Sequence, residues 1–85
     1  MYFFATGTVI HPEQIGPHQE EEKRVLAELR QQGLVREAFT RTGGHGVISI
    51  LEAPSLAEAQ AQMHRLPFVA HGIMTFDYTE ITELE

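Results

Sequence analysis

The spacing of apolar positions changes along the chain, and each change marks an element. Residues 2–9 are aromatic and β-branched and predict a first strand. His11-Pro12 breaks it, and residues 13–17 read as a loop or a weak helical turn. From residue 13 to 33 the spacing is helical. At about 100° per residue, Ile15, Val25, Leu26, Leu29 and Gly33 fall on one side. Pro17 suits the first helical position, and the acidic run Glu20-Glu21-Glu22 suits the positive end of the helix dipole. Gly33 suits the residue just past the helix end. Residues 34–41 predict a second strand, residues 42–46 a glycine-rich turn and residues 47–52 a third strand. Ser55 and Glu58 then form a capping box, opening a second helix with Leu56, Ala59 and Met63 as its buried stripe. Leu66-Pro67 ends that helix. After Gly72, residues 73–81 predict the last strand.

The order strand, helix, strand, strand, helix, strand implies an α+β fold. The expectation is a ferredoxin-like βαββαβ domain over residues 1–85, an antiparallel four-stranded sheet with both helices on one face. Strand parity raises a problem for that layout. Phe3, Ala5 and Val9 oppose Tyr2 and Phe4; Val47 and Leu51 oppose Ile48 and Ile50; Met74, Phe76 and Tyr78 oppose Ile73 and Ile81. Two helices cover one face, so the other is expected to close against a second copy, giving a homodimer or a higher oligomer built on it.

Composition narrows the partners. Twelve acidic against six basic residues give a formal charge of −6, with no basic face for a nucleic acid. No apolar run reaches membrane-spanning length. Met1-Tyr2-Phe3-Phe4 has neither the basic region nor the cleavage site of a signal peptide, which suggests a cytoplasmic protein. The absence of cysteine excludes disulfides, thiolate catalysis and cysteine-bound metal.

One residue breaks the helical pattern. Glu22 sits near the centre of the apolar stripe, with His18 one turn earlier on the same side. A carboxylate facing a core must be paired, hydrogen-bonded or protonated, and proteins use such groups for proton chemistry. The plain alternative is a helix that rolls slightly, leaving Glu22 to reach water. A His18–Glu22 pair is equally readable as a surface contact. His18 and Glu22 also have the spacing of two metal ligands on a helix, yet no third ligand stands at a recognisable spacing, so no metal is expected. Asp77 is a second candidate base if its parity faces a pocket. His71 reads as a loop residue, and His11 and His64 as solvent-facing.

Several segments together resemble the muconolactone isomerase family: Glu22-Lys23, Gly33 with Val35-Arg36, Thr42-Gly43-Gly44-His45 through Leu51-Glu52-Ala53-Pro54-Ser55, and Leu66-Pro67. The run from Ala53-Pro54-Ser55 to Leu66-Pro67-Phe68 also resembles the YCII-related proteins, which share the dimeric α+β barrel. The first resemblance implies a double-bond shift in a small unsaturated lactone or organic acid, without metal or organic cofactor. It implies that Glu22 is the base, with His45 as a catalytic partner, and that Arg36 binds substrate with Phe39 beside it; His18, one turn before Glu22 on the same helix face, is placed to share the proton or orient the carboxylate. Phe39 is the ring that remains near the arginine, since Val35 and Glu37 replace the family's flanking aromatics. The family's longer C-terminal tail has no counterpart after the last strand, so a more open pocket is expected. The chemistry itself needs a base for a carbon-bound proton, a donor for the enolate oxygen and an acid to return the proton. Each residue also has a plainer role: Arg36 pairs with Glu37 or another acid, and His45 fills a tight turn. A silent ligand-binding or accessory protein of the YCII-like type is the alternative function.

Overall fold

The computed structural model describes residues 1–85. Four strands, β1 (Tyr2–Val9), β2 (Val35–Thr40), β3 (Gly46–Glu52) and β4 (Met74–Ile81), form one antiparallel sheet in the order β2-β3-β1-β4. Helices α1 (Gln19–Gln31) and α2 (Leu56–Met63) are the two main helices, and a short helix α3 (Pro67–Ala70) precedes β4. This is the ferredoxin-like arrangement that the element order implies.

Local chemistry explains the boundaries. Pro17 lies in a 3-10 turn (Gly16–His18) rather than at the first position of α1, which begins two residues later. A second such turn covers Pro12–Gln14, where the sequence reads as a loop or weak turn. Gly33 follows α1 at φ 85°, the left-handed conformation that glycine takes without steric cost. The Ser55 hydroxyl accepts a hydrogen bond from the Glu58 backbone N–H at 3.1 Å. Only this half of the capping box forms, because the Glu58 carboxylate accepts from the Gln62 side-chain amide instead. α2 ends at Met63, three residues before the expected stop at Leu66-Pro67, and Pro67 instead starts α3, where its missing N–H costs nothing.

The helix-facing side of the sheet carries Phe3 and Ala5 of β1, Ser49 and Leu51 of β3, and Met74, Phe76 and Tyr78 of β4. Phe3, Leu29, Leu51 and Met63 are fully buried and anchor the main core. A smaller cluster of Phe68, Ile73 and Met74 packs where α3 leads into β4, and Phe76 touches both clusters. Leu29 and Val25 are buried on α1 as the helical stripe implies, while Leu26 and Ile15 are half-buried. Leu56 departs from expectation: it sits in the first turn of α2 and is 41 % exposed, leaving Ala59 and Met63 as that helix's buried contacts.

The opposite face carries Tyr2, Phe4, Phe39, Ile48, Ile50 and Ile81. Ile73 does not join them. It precedes β4 and is fully buried beside Phe68, and its carbonyl accepts backbone hydrogen bonds from Ile10 and His11. The outer positions of β4 are therefore Thr75, Asp77, Thr79 and Ile81, more polar than parity alone suggests.

Candidate active site

Glu22 lies in the first turns of α1 and is half-buried. Its Oε1 accepts a hydrogen bond of 2.9 Å from the backbone N–H of Phe68 in α3. Burial pushes the Glu22 carboxyl above its ordinary value of 4.5, and the Phe68 hydrogen bond partly offsets the rise by favouring the charged form. Oε2 takes no part in the hydrogen bonds of the chain. One oxygen is thus oriented while the other is left for a proton or a ligand.

This carboxylate opens onto a cavity of about 140 Å³. Leu26, Met63, Leu66 and Phe68 line its helical side, and Ala38, Val47, Ser49, Met74 and Phe76 line its sheet side. The space exists because the floor is made of small residues. Ser49 pairs with Ala5 on one side and Ala38 on the other, so no long side chain rises immediately beside it on either neighbouring strand. Gly7 does related work further along β1. A Cβ there would come within 2.8 Å of the Phe76 ring and 2.9 Å of the Met74 sulfur, so both side chains rest across bare backbone.

The other sequence candidates stand elsewhere. His18 precedes α1, and its ring stacks on that of His71 with centroids 4.3 Å apart. Glu22 hydrogen-bonds Phe68 rather than His18. His71 is therefore more than a loop residue: with the Glu22–Phe68 bond, the histidine stack ties the start of α1 to α3. His45 is exposed, and its ring lies over Gly43 in the glycine turn, outside the cavity lining. Arg36 is exposed and paired with Glu52 across the sheet, the plainer role for that residue. It sits at an irregularity between Val35 and Glu37, where the β2–β3 register shifts. Phe39 is 57 % exposed on the outer face. Asp77 is exposed on that face too, away from the Glu22 cavity. The structure thus gathers Glu22 with apolar residues and Ser49, and leaves Arg36, Phe39 and His45 apart from it.

Ser49 and the Phe68 N–H are the site groups that sequence reading misses. The signal for Ser49 is visible in hindsight as a hydroxyl on the buried parity between Val47 and Leu51. The Phe68 N–H has no such signal, because a tertiary contact with α3 creates it. A larger, open groove of about 580 Å³ lies near Gln32, Leu34 and Ala53. Its Arg36 is already paired with Glu52 and water screens its charges, so the desolvated cavity is the better site for chemistry. No three His, Asp or Glu side chains converge as a metal site, and no helix is long and apolar enough to cross a membrane.

Fold and site together define the class: a ferredoxin-like α+β domain with a cavity between helices and sheet. Compared by sequence alone, the chain matches no family model and no curated protein. Compared by structure, it is similar to muconolactone isomerase, with a TM-score of 0.81 at 19 % identity over 99 % of this chain and 91 % of the other. It is also similar to 5-chloro-2-hydroxyhydroquinone dehydrochlorinase from Burkholderia phenoliruptrix AC1100, solved with 2,5-dihydroxybenzoquinone. That match has a TM-score of 0.75 at 17 % identity, covering 96 % and 94 % of the two chains. An antibiotic biosynthesis monooxygenase matches with a TM-score of 0.60 at 16 % identity, covering 98 % and 100 %. The resemblance to muconolactone isomerase read from the sequence holds at the level of fold.

Proposed function

We propose that this protein is a proton-transfer enzyme of the muconolactone isomerase type, shifting a double bond in a small unsaturated lactone or related organic acid. The observation that carries the reading is Glu22, a desolvated carboxylate oriented through one oxygen and facing an apolar cavity. A base with a raised pKa abstracts a weakly acidic proton better than an ordinary carboxylate. The Phe68 N–H holds Oε1, so Oε2 is the oxygen that takes the proton from carbon next to a carbonyl. The electron pair left behind forms the dienolate. Return of the same proton from Glu22 to the distant carbon completes the shift. No electron enters or leaves, and the step consumes nothing, so the protein's own groups suffice. Two of the structural neighbours carry names that denote reactions on small unsaturated rings, which is consistent with this reading.

The assembly belongs to the same proposal. Phe4, Phe39, Ile48 and Ile50 leave the outer sheet face with an apolar surface that the helices do not cover. Two copies meeting through it would bury roughly 1,200–2,000 Å², the range of specific interfaces.

A second reading, a silent ligand-binding protein, is favoured by one observation: Glu22 is the single titratable side chain lining the cavity. Glu22→Gln separates the two. It keeps the shape of the side chain and removes the base. On an unsaturated lactone that the protein isomerises, kcat should fall about 10²–10⁴-fold with the fold intact. A loss of only two- or threefold would remove Glu22 from the role. Binding of lactones without any turnover by the natural protein would establish the silent reading.

A further inference from the structure

The cavity has an unusual balance of groups. Eight of its ten lining residues are hydrophobic, and the other two are Glu22 and Ser49. No lysine or arginine lines it. Four of the chain's six lysine and arginine side chains are engaged elsewhere. Arg36 pairs with Glu52, Arg24 with Glu21 and Glu28, and Arg65 with Glu28, while Arg41 bonds the Thr8 hydroxyl on the outer face. An anion entering this space would meet the Glu22 carboxylate in a desolvated setting with no countercharge, which is costly.

Ser49 is the remaining polar group. It is 3 % exposed, and its hydroxyl takes part in none of the side-chain hydrogen bonds of the fold. No sealed-off side-chain oxygen or nitrogen lacks a partner, so this hydroxyl reaches the open space of the cavity. Ala5 and Ala38 flank it in the sheet, leaving room above it for a bound molecule. At about 140 Å³, the space is close to that of a cavity of about 150 Å³ that accepts benzene.

Building on the proton-transfer reading above, we propose that Ser49 is the donor that holds a ligand oxygen, and that the cavity takes a neutral, mainly hydrocarbon ring bearing one carbonyl rather than an organic anion. The serine hydroxyl on the sheet and the glutamate on α1 then address one small ring from two sides. The hydroxyl donates to the carbonyl oxygen, while Glu22 faces the adjoining carbon. Within the class of lactones and organic acids, this selects neutral lactones, for which cyclic enones of similar size serve as models.

The test uses the full chain and three probes of similar size, followed by NMR titration: cyclohex-2-enone, cyclohexene and cyclohex-1-ene-1-carboxylate. The enone is expected to bind more tightly than the carboxylate at pH 7. Ser49→Ala should weaken enone binding about 3–10-fold, the effect of one hydrogen bond, and leave cyclohexene binding unchanged, which also reports an intact cavity. Equal or tighter binding of the carboxylate would overturn the proposal. So would an equal effect of Ser49→Ala on enone and cyclohexene, or failure of all three probes to bind. Conversion of cyclohex-3-enone to cyclohex-2-enone is read separately. Serine-dependent enone binding without that conversion leaves Ser49 as the donor and removes the proton-transfer reading.

Discussion

The two faces of the sheet come from the same strands and end in different conditions. On the helix side, Phe3, Leu51 and Met74 are buried, and the cavity at Glu22 and Ser49 interrupts the packing. On the outer side, Phe39 stays exposed, Phe4, Ile48 and Ile50 are half-buried, and the Arg36–Glu52 pair stands at the edge. The difference separates residues that sequence reading grouped as one site. Glu22 is made a candidate base by desolvation, which only the covered face supplies. Arg36 and Phe39 lack that environment within a single chain, because the sheet stands between them and Glu22.

Substitutions that place a charge on each face test the contrast most strongly. Phe76 packs against both core clusters, so Phe76→Asp should destabilise the domain by on the order of 4 kcal/mol or more and abolish the folded NMR spectrum. Ile50 is half-buried on the other face, and Ile50→Asp should leave each chain folded while shifting sedimentation from dimer to monomer. Similar unfolding by both variants would erase the distinction between the faces. Truncation within the core is the next largest effect. Leu29→Ala removes a fully buried side chain and should cost about 2–5 kcal/mol in chemical denaturation. The smallest effect is expected at the exposed ion pair. Arg36→Ala should change stability by less than about 1 kcal/mol. It should also leave turnover within about twofold, since Arg36 does not line the Glu22 cavity. A large loss of substrate affinity in that variant would instead reconnect the two faces functionally.

Much of the fold was legible because periodicity carries it. The strand and helix order, the buried Val25 and Leu29 and the Ser55 cap all follow from local spacing. Ile73 shows where spacing fails. Its parity matches Ile81, but the strand begins one residue later, and the preceding turn directs Ile73 into the core. The site was legible at one residue. Glu22 stands out because a charged side chain interrupts an apolar stripe, a contrast within the helix itself. The rest depends on distant segments meeting. The Phe68 N–H reaches Glu22 from 46 residues away, and His18 finds His71 rather than Glu22. Ser49 gains meaning only when alanines on two neighbouring strands leave the floor open.

Burial raises the Glu22 pKa, so the folded chain binds that proton more tightly than the unfolded chain does. The associated stabilisation is fully present below the ordinary value of 4.5 and is lost as pH rises through the raised folded value. Titration of the Glu22 side-chain carboxyl carbon by NMR in the natural protein tests this directly. The account predicts a midpoint above 4.5, and in an active protein a rising limb of kcat/KM at the same pH. A midpoint at or below 4.5 would show a solvated carboxylate and contradict the assignment of Glu22 as the base.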